Sequence, residues 1–187
     1  MTTLTLPQTG QQENHQSQPH VPALAGSGKD SHLTILALDL GQKTGWALHA
    51  SDKRITSGTA LFRPGRFESA GMSYLRFRQW LTEIKNTAGG LDIVVFEEVR
   101  AHKGTTAAQV YGAFLGQLTA WAEHHQIPYE GVPVGTIKRH ATGKGNANKA
   151  TVIAAVQRLG FNPADDNEAD ALALLDWALT YRGGLGQ

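Results

Sequence analysis

The apolar positions of this chain come in two rhythms. Leu33, Ile35, Leu36, Ala37 and Leu38 form an uncharged run with the length and branching of a strand buried on both faces, and it closes on one carboxylate, Asp39. Gly41 and the pair Thr44-Gly45 follow, predicting a turn where backbone approaches a ligand closely. Residues 46–49 and 55–62 predict two further strands, separated by the polar turn Ser51-Asp52-Lys53 as in antiparallel hairpins. The period then changes. Phe77, Trp80, Leu81 and Ile84 follow the i, i+3, i+4, i+7 spacing of an amphipathic helix over 68–86, stopped by Gly89 and Gly90. Residues 91–99, LDIVVFEEV, return to a β-branched apolar run that again ends in acid. A helix over 105–126 carries Ala107, Val110, Phe114, Leu118 and Trp121 on one stripe, with Gly112, Ala113, Gly116 and Ala120 beside it. Small residues at this spacing allow close helix approach, either inside the fold or across a seam between two copies. Residues 128–133 predict a short last strand, and a helix begins near Ala147. Leu174, Leu175, Ala178 and Leu179 give the buried stripe of a final helix within 164–179, where Asp165 and Glu168 have the spacing of a capping box.

Ahead of these elements, residues 1–31 hold too few bulky apolar side chains to offset the entropy of ordering and predict a disordered tail. Its histidines, His15 and His20, and the neighbouring His32 are not at ligand spacing. Residues 32–183 then make one domain, near the usual size of about 100–150 residues. No run approaches the ~20 apolar residues of a membrane span, and the tail lacks the features of a secretory or organelle signal, so a cytoplasmic protein with no membrane partner is expected. The absence of cysteine excludes disulfides, thiolate metal sites and a cysteine nucleophile. A formal net charge of +1 gives no global case for nucleic acid, so any such case rests on where the charges fall. Residues 134–159 contain Lys138, Arg139, His140, Lys144, Lys149 and Arg158 without one acid, and the sub-stretch TGKGNANK lets backbone bend around an anionic partner. It is not a Walker loop, since the GKS or GKT ending is missing.

Taken alone, Asp39 reads as a turn cap. The later acids change that reading. Glu97 shares a strand face with Ile93 and Val95, Glu98 shares the other with Val94 and Phe96, and one of the two is expected to point into a site. Asp170 lies one turn before Leu174 on the apolar side of the last helix, where dipole stabilisation of first-turn acids does not account for it. Carboxylates gathered in one pocket repel unless a proton or cation intervenes. An all-oxygen set without a matched histidine pair suits hard Mg2+ or Mn2+ rather than zinc. Two such ions activate a water and stabilise a leaving oxygen in phosphodiester cleavage, and an acid-free basic stretch supplies phosphate contacts. Acidic pocket and basic rim together are a nuclease pattern.

The order of elements and four motifs resemble the RuvC family of Holliday junction resolvases, which have an RNase H-like fold. LALDLGQKTGWAL resembles the family's first-strand Asp and Gly turn, and VVFEEV its Glu-bearing strand. VGTIKRHATGKGNANKATV resembles its basic segment, and DNEADALAL its closing acidic helix. The resemblance spans residues 33–181 and implies an α/β fold with a central mixed five-stranded sheet flanked by helices. It implies that Asp39, Glu97 and Asp170 are catalytic metal ligands for two Mg2+ ions, replaceable by Mn2+, with Lys149 in the catalytic set. Lys138 and Lys149 are implied as DNA backbone contacts, and Arg139, Lys144, Arg100 and Lys103 extend that surface. The partner implied is branched DNA such as a four-way junction, cut by a homodimer. Two positions depart from the family. The fourth ligand, Asp or His three residues before the last acid, is here Asn167, whose amide oxygen ligates without charge; Asp166 and Glu168 are its alternatives. An aromatic commonly found three residues after the Glu is here Arg100.

Other readings compete. A non-catalytic nucleic-acid-binding module on the same fold is suggested by Asn167, and an RNase H-like nuclease with another substrate shares every motif. A phosphate-handling ATPase of the actin and sugar-kinase kind shares the DLG-x-x-TG turn, but that architecture needs two lobes and the chain has room for one.

Overall fold

The computed structural model describes residues 33–100 and 104–182. The expected tail over 1–31 and Lys103 lie outside the described residues. Five strands, β1 (Ile35–Asp39), β2 (Lys43–His49), β3 (Ile55–Leu61), β4 (Ile93–Glu98) and β5 (Tyr129–Pro133), form one sheet in the order β3-β2-β1-β4-β5. The first three are antiparallel neighbours, whereas β4 runs parallel to β1 and β5 parallel to β4. Strands β1, β3, β4 and β5 therefore all end at the same rim of the sheet. The helices are α1 (Gly71–Thr87), α2 (Thr105–His125), α3 (Val134–Thr142), α4 (Lys149–Arg158) and α5 (Asp166–Tyr181). This is the mixed five-stranded α/β arrangement of RNase H-like proteins.

Period-two alternation sorts the strand residues onto two cores. Leu36, Leu38, Leu48, Val94 and Phe96 face α1 and α2, packing on Phe77, Leu81, Phe114, Leu118 and Trp121. Ile35, Ala37, Ala47, Val95 and Val132 face the other way, onto α3, α4 and above all α5 through Ala171, Leu172, Leu174, Leu175 and Ala178. The strands β1 and β4 are central and covered on both faces, which is why their sequences read as unbroken apolar runs.

Two features of the first hairpin differ from expectation. Strand β2 begins at Lys43, three residues before the predicted start, so Thr44 and Gly45 belong to the strand and not to a ligand turn. Thr44 is fully buried, and its hydroxyl donates to the Gly41 carbonyl at 2.6 Å, closing the β1–β2 turn from within. The close approach predicted at Gly45 is real, but its partner is protein: a Cβ added there would lie 1.9 Å from the backbone oxygen of Asn167. The missing side chain lets the first turn of α5 rest on β2. The basic segment also holds the separate helix α3, and α4 starts at Lys149 behind Asn148, whose side chain caps the Thr151 N–H at 2.9 Å.

Gly45→Ala is expected to lower stability by about 1–3 kcal/mol or more, because backbone and not a flexible side chain must give way. Urea denaturation followed by circular dichroism measures this, and an unchanged midpoint would mean that α5 does not seat on β2 as described.

Candidate active site

Asp39 ends β1, and Glu97 is the next-to-last residue of the neighbouring parallel strand β4. The register pairs Ala37 with Val95, so two residues on, Asp39 stands beside Glu97. Both follow the alternation of the residues that face α5, which decides between the two glutamates. Glu98 points to the other face, where its carboxylate accepts from Arg100 at 3.2 Å. The end of β4 is fixed from α2. Tyr111 donates its hydroxyl to the Glu97 carbonyl at 2.9 Å and accepts the Val99 N–H at 3.3 Å.

Helix α5 brings Asp170 over this pair, and its first turn is fastened by side chains. Asp165 is the N-cap, accepting from the Glu168 N–H at 3.0 Å, from Thr59 of β3 at 2.9 Å, and pairing with Lys43 at 3.1 Å. Glu168 is buried and spent on structure, accepting from Ser57 at 2.7 Å and from the Ala164 N–H at 2.7 Å. The expected capping box is thus present in part, with the glutamate reaching Ala164 instead of the cap residue itself. Asp166 pairs with Lys149, the first residue of α4. Asn167 lies over Gly45.

The carboxylates feel one another. Burial pushes the Asp39 carboxyl up to about 8, helped by the charges of Glu97, Asp170 and Asp166 and opposed by Lys149. Burial and Asp170 push Glu97 up to about 7, with Lys138 opposing. Asp170 is raised by burial and by Asp166, against Lys138 and Lys149. Lys149 is held above its ordinary value by its bond to Asp166, so it acts in this site as a cation and not as a base. Three carboxylates that resist ionisation together, on oxygen-only donors, match the chemistry of a hard divalent cation. Among the described residues, no group of three or more His, Asp or Glu stands in an arrangement that could hold a metal ion. The fit lies in donor chemistry and shared placement, without a closed cage.

Of the expected basic contacts, the structure brings Lys138 and Lys149 within electrostatic reach of the carboxylates. Arg139 and Lys144 are exposed on α3 and on the turn after it, away from these pairings. Arg100 is exposed and partnered by Glu98. The basic segment is acid-free only in sequence. In the fold α5 sets Asp166 against Lys149, and Asp176 against His140 at 2.8 Å. Sequence reasoning missed Lys43 and Tyr111, and placed Thr44 in a ligand turn instead of the strand. Their signal was slight, because a lysine at a strand start and a tyrosine in a helix are ordinary until their partners are known. On the α2 side of the same rim, a cleft of about 690 Å³ runs between the β1–β2 turn and the start of α2, lined by Leu40, Gln42, Val99, Thr105, Val110 and Tyr111. No helix of the described residues is long and apolar enough to cross a membrane.

No family model and no curated protein matches the sequence. Solved structures do match. Thermus thermophilus RuvC in complex with Holliday junction substrate aligns with a TM-score of 0.67 and 21% identity over 83% of this chain and 96% of that one. A second Thermus thermophilus RuvC structure gives 0.64 and 23%, over 81% and 97% of the two chains. The yeast mitochondrial Holliday junction resolvase Ydc2 gives 0.56 and 11%, over 77% and 76%. The chain therefore has the RNase H-like fold in the form that RuvC and Ydc2 share.

The raised carboxyls set a pH dependence. Between the ordinary Asp value of 3.8 and about 8 the folded protein keeps protons that the unfolded chain has released, so these groups stabilise the fold fully below that window and lose their contribution as pH rises through it. In EDTA, the melting temperature is expected to fall from pH 5 to pH 8. Asp39→Asn is expected to flatten that slope and to raise stability at pH 8 by on the order of 1–2 kcal/mol. Identical slopes for the two proteins would show that Asp39 is not desolvated as described.

Proposed function

We propose that this chain is a divalent-metal-dependent endonuclease that cuts branched DNA, with the four-way junction as its preferred substrate. The observation that carries the reading is the meeting of Asp39, Glu97 and Asp170 at the shared rim of β1 and β4, where burial raises all three carboxyls and neighbouring acids raise them further. Such an arrangement costs stability and has no structural use, as expected of a site kept for chemistry. The fold shared with RuvC, one of whose structures is in complex with Holliday junction substrate, supports the substrate class.

In this reading Asp39, Glu97 and Asp170 hold Mg2+ or Mn2+, two ions per site, and the metal when bound supplies Lewis acidity to the attacking water and the leaving oxygen. The protein's own residues do the rest. Lys138 and Lys149, already near the carboxylates, bind the phosphates flanking the scissile bond, with Arg139 and Lys144 farther along the backbone and Arg100 and Lys103 beyond β4. The fourth acidic position falls to Asp166 in preference to Asn167, since Asp166 is electrostatically coupled to Asp39 and Asp170, while Glu168 is consumed by Ser57 and Ala164. When DNA takes up Lys149, Asp166 is released toward the site. A homodimer suits paired cuts in a two-fold substrate. Its seam is expected along Gly112 and Gly116 of α2, where an added Cβ would meet nothing within 4 Å among the described residues, so packing among these does not explain the two glycines. A binding-only reading has Asn167 in its favour, an uncharged amide at the position where the family carries an acid or histidine.

The test is a panel of labelled four-way junction, flap, duplex and RNA–DNA hybrid, with Mg2+ or EDTA. Cleavage of the junction in Mg2+ alone is expected, with loss to background in Asp39→Asn. Binding without nicking in either condition selects the non-catalytic reading. Asp166→Asn is expected to lower cleavage by about 10- to 100-fold and Asn167→Ala by much less; the reverse order returns the fourth position to Asn167.

A further inference from the structure

Residues 62–70 connect β3 to α1 and present an aromatic side chain that the fold does not use. The connection starts firmly: Phe62 is buried, its ring centroid 5.3 Å from that of Phe77 and 5.4 Å from that of Trp80, and its N–H donates to the Gln42 carbonyl at 2.7 Å. Glu68 then cross-ties the turn, accepting from the Gly65 N–H at 2.6 Å and from Arg76 of α1 at 2.5 Å. A second guanidinium nitrogen of Arg76 reaches the Arg63 carbonyl at 3.3 Å. The one acid of the loop is thereby occupied internally. What projects is Phe67, 92% exposed, with Arg63 and Arg66 also exposed and in no ion pair among the described residues. The Arg66 guanidinium lies 5.4 Å from the Phe67 ring centroid.

An isolated exposed phenylalanine needs no explanation, but one held on a cross-tied turn directly after Arg66 and four residues after Arg63, both outside any ion pair among the described residues, has the composition of a nucleic-acid contact. Placement agrees. Strand β3 ends at the rim where β1 and β4 end, Leu61 pairs with Lys43, and the loop is tethered to Gln42 in the turn that follows Asp39. Two strand spacings of about 4.8 Å separate β3 from β1, a distance of about three base steps. Charge complementarity favours a polyanion over an apolar protein surface.

We propose that residues 62–68 are a second DNA-contact element, in which Phe67 stacks on an unpaired or unstacked base near the branch while Arg63 and Arg66 hold phosphates of the adjoining backbone. This rests on the nuclease reading above and names how that site selects branched over continuous duplex. Stacking is indifferent to base identity because every base has a π face, so the loop reads structure and not sequence.

The experiment uses the full chain and a four-way junction carrying 2-aminopurine next to the branch, in EDTA, with affinity and fluorescence read together. Phe67→Ala is expected to weaken junction binding about 10-fold or more, with a much smaller loss on unbranched duplex, and to abolish the fluorescence change seen with the wild type. Phe67→Trp is expected to retain both. Arg63→Ala and Arg66→Ala are each expected to reduce the salt dependence of binding by about one phosphate contact. Wild-type binding that Phe67→Ala leaves intact, together with its fluorescence signal, overturns the loop's role and leaves the nuclease reading standing. A loss of dimer in Phe67→Ala with unchanged junction affinity overturns it in favour of a protein seam. Failure of the wild type to bind any branched DNA overturns both.

Discussion

The seating of α5 on the sheet is the contact on which the rest depends. Its first turn presses its backbone onto β2 where Gly45 has no side chain, and Asp165 and Glu168 tie that turn to Thr59 and Ser57 of β3. Only with the helix this close does Asp170 reach the face on which Asp39 and Glu97 end their strands. The same helix is the largest single contributor to one core, through residues that include Ala171, Leu172, Leu174, Leu175 and Ala178, so the chemistry and one half of the hydrophobic core share one element. A helix that slid by one turn would lose both.

Electrostatics pull against that packing. Strands β1 and β4 are central and covered on both faces, so the carboxylates at their ends are desolvated before any partner is counted. Lys138 and Lys149 relieve this in part from the neighbouring helices α3 and α4. Lys149 is also bound to Asp166, so its charge is divided between a structural pair and the site. In the proposed reading, that pair is the cation an incoming phosphate competes for and the acid such competition sets free. Stability given up in this way is found where binding energy is later recovered.

The rim itself follows from topology. Because β4 and β5 are parallel to β1, and β3 is antiparallel to an antiparallel neighbour, the connections that leave β1, β3, β4 and β5 emerge together. Carboxylates, the cleft beside α2 and the basic, Phe67-bearing loop therefore crowd one end of the sheet. Open α/β sheets commonly gather their ligands at the carboxyl ends of their strands for this reason.

Local pattern was enough for the elements and for the residue types. The buried runs ending in Asp39 and in Glu97-Glu98, the helical stripes and the acid at Asp170 are all properties of neighbours in sequence, where periods of two and 3.6 decide which side chains share a face. The resemblance to RuvC rested on these same stretches. Which face became the site was not local. Alternation separates Glu97 from Glu98 but cannot say which side α5 covers, and the acid-free look of residues 134–159 hid the acids that α5 brings against them. The sequence by itself thus determined the five strands, four of the helices and the supply of carboxylates and cations, whereas the short helix α3 and the first residues of β2 emerged only in the fold. Tertiary structure decided their pairing, since contacts such as Gly45 with Asn167 and Ser57 with Glu168 join residues far apart in the chain, and only the closed sheet makes them neighbours.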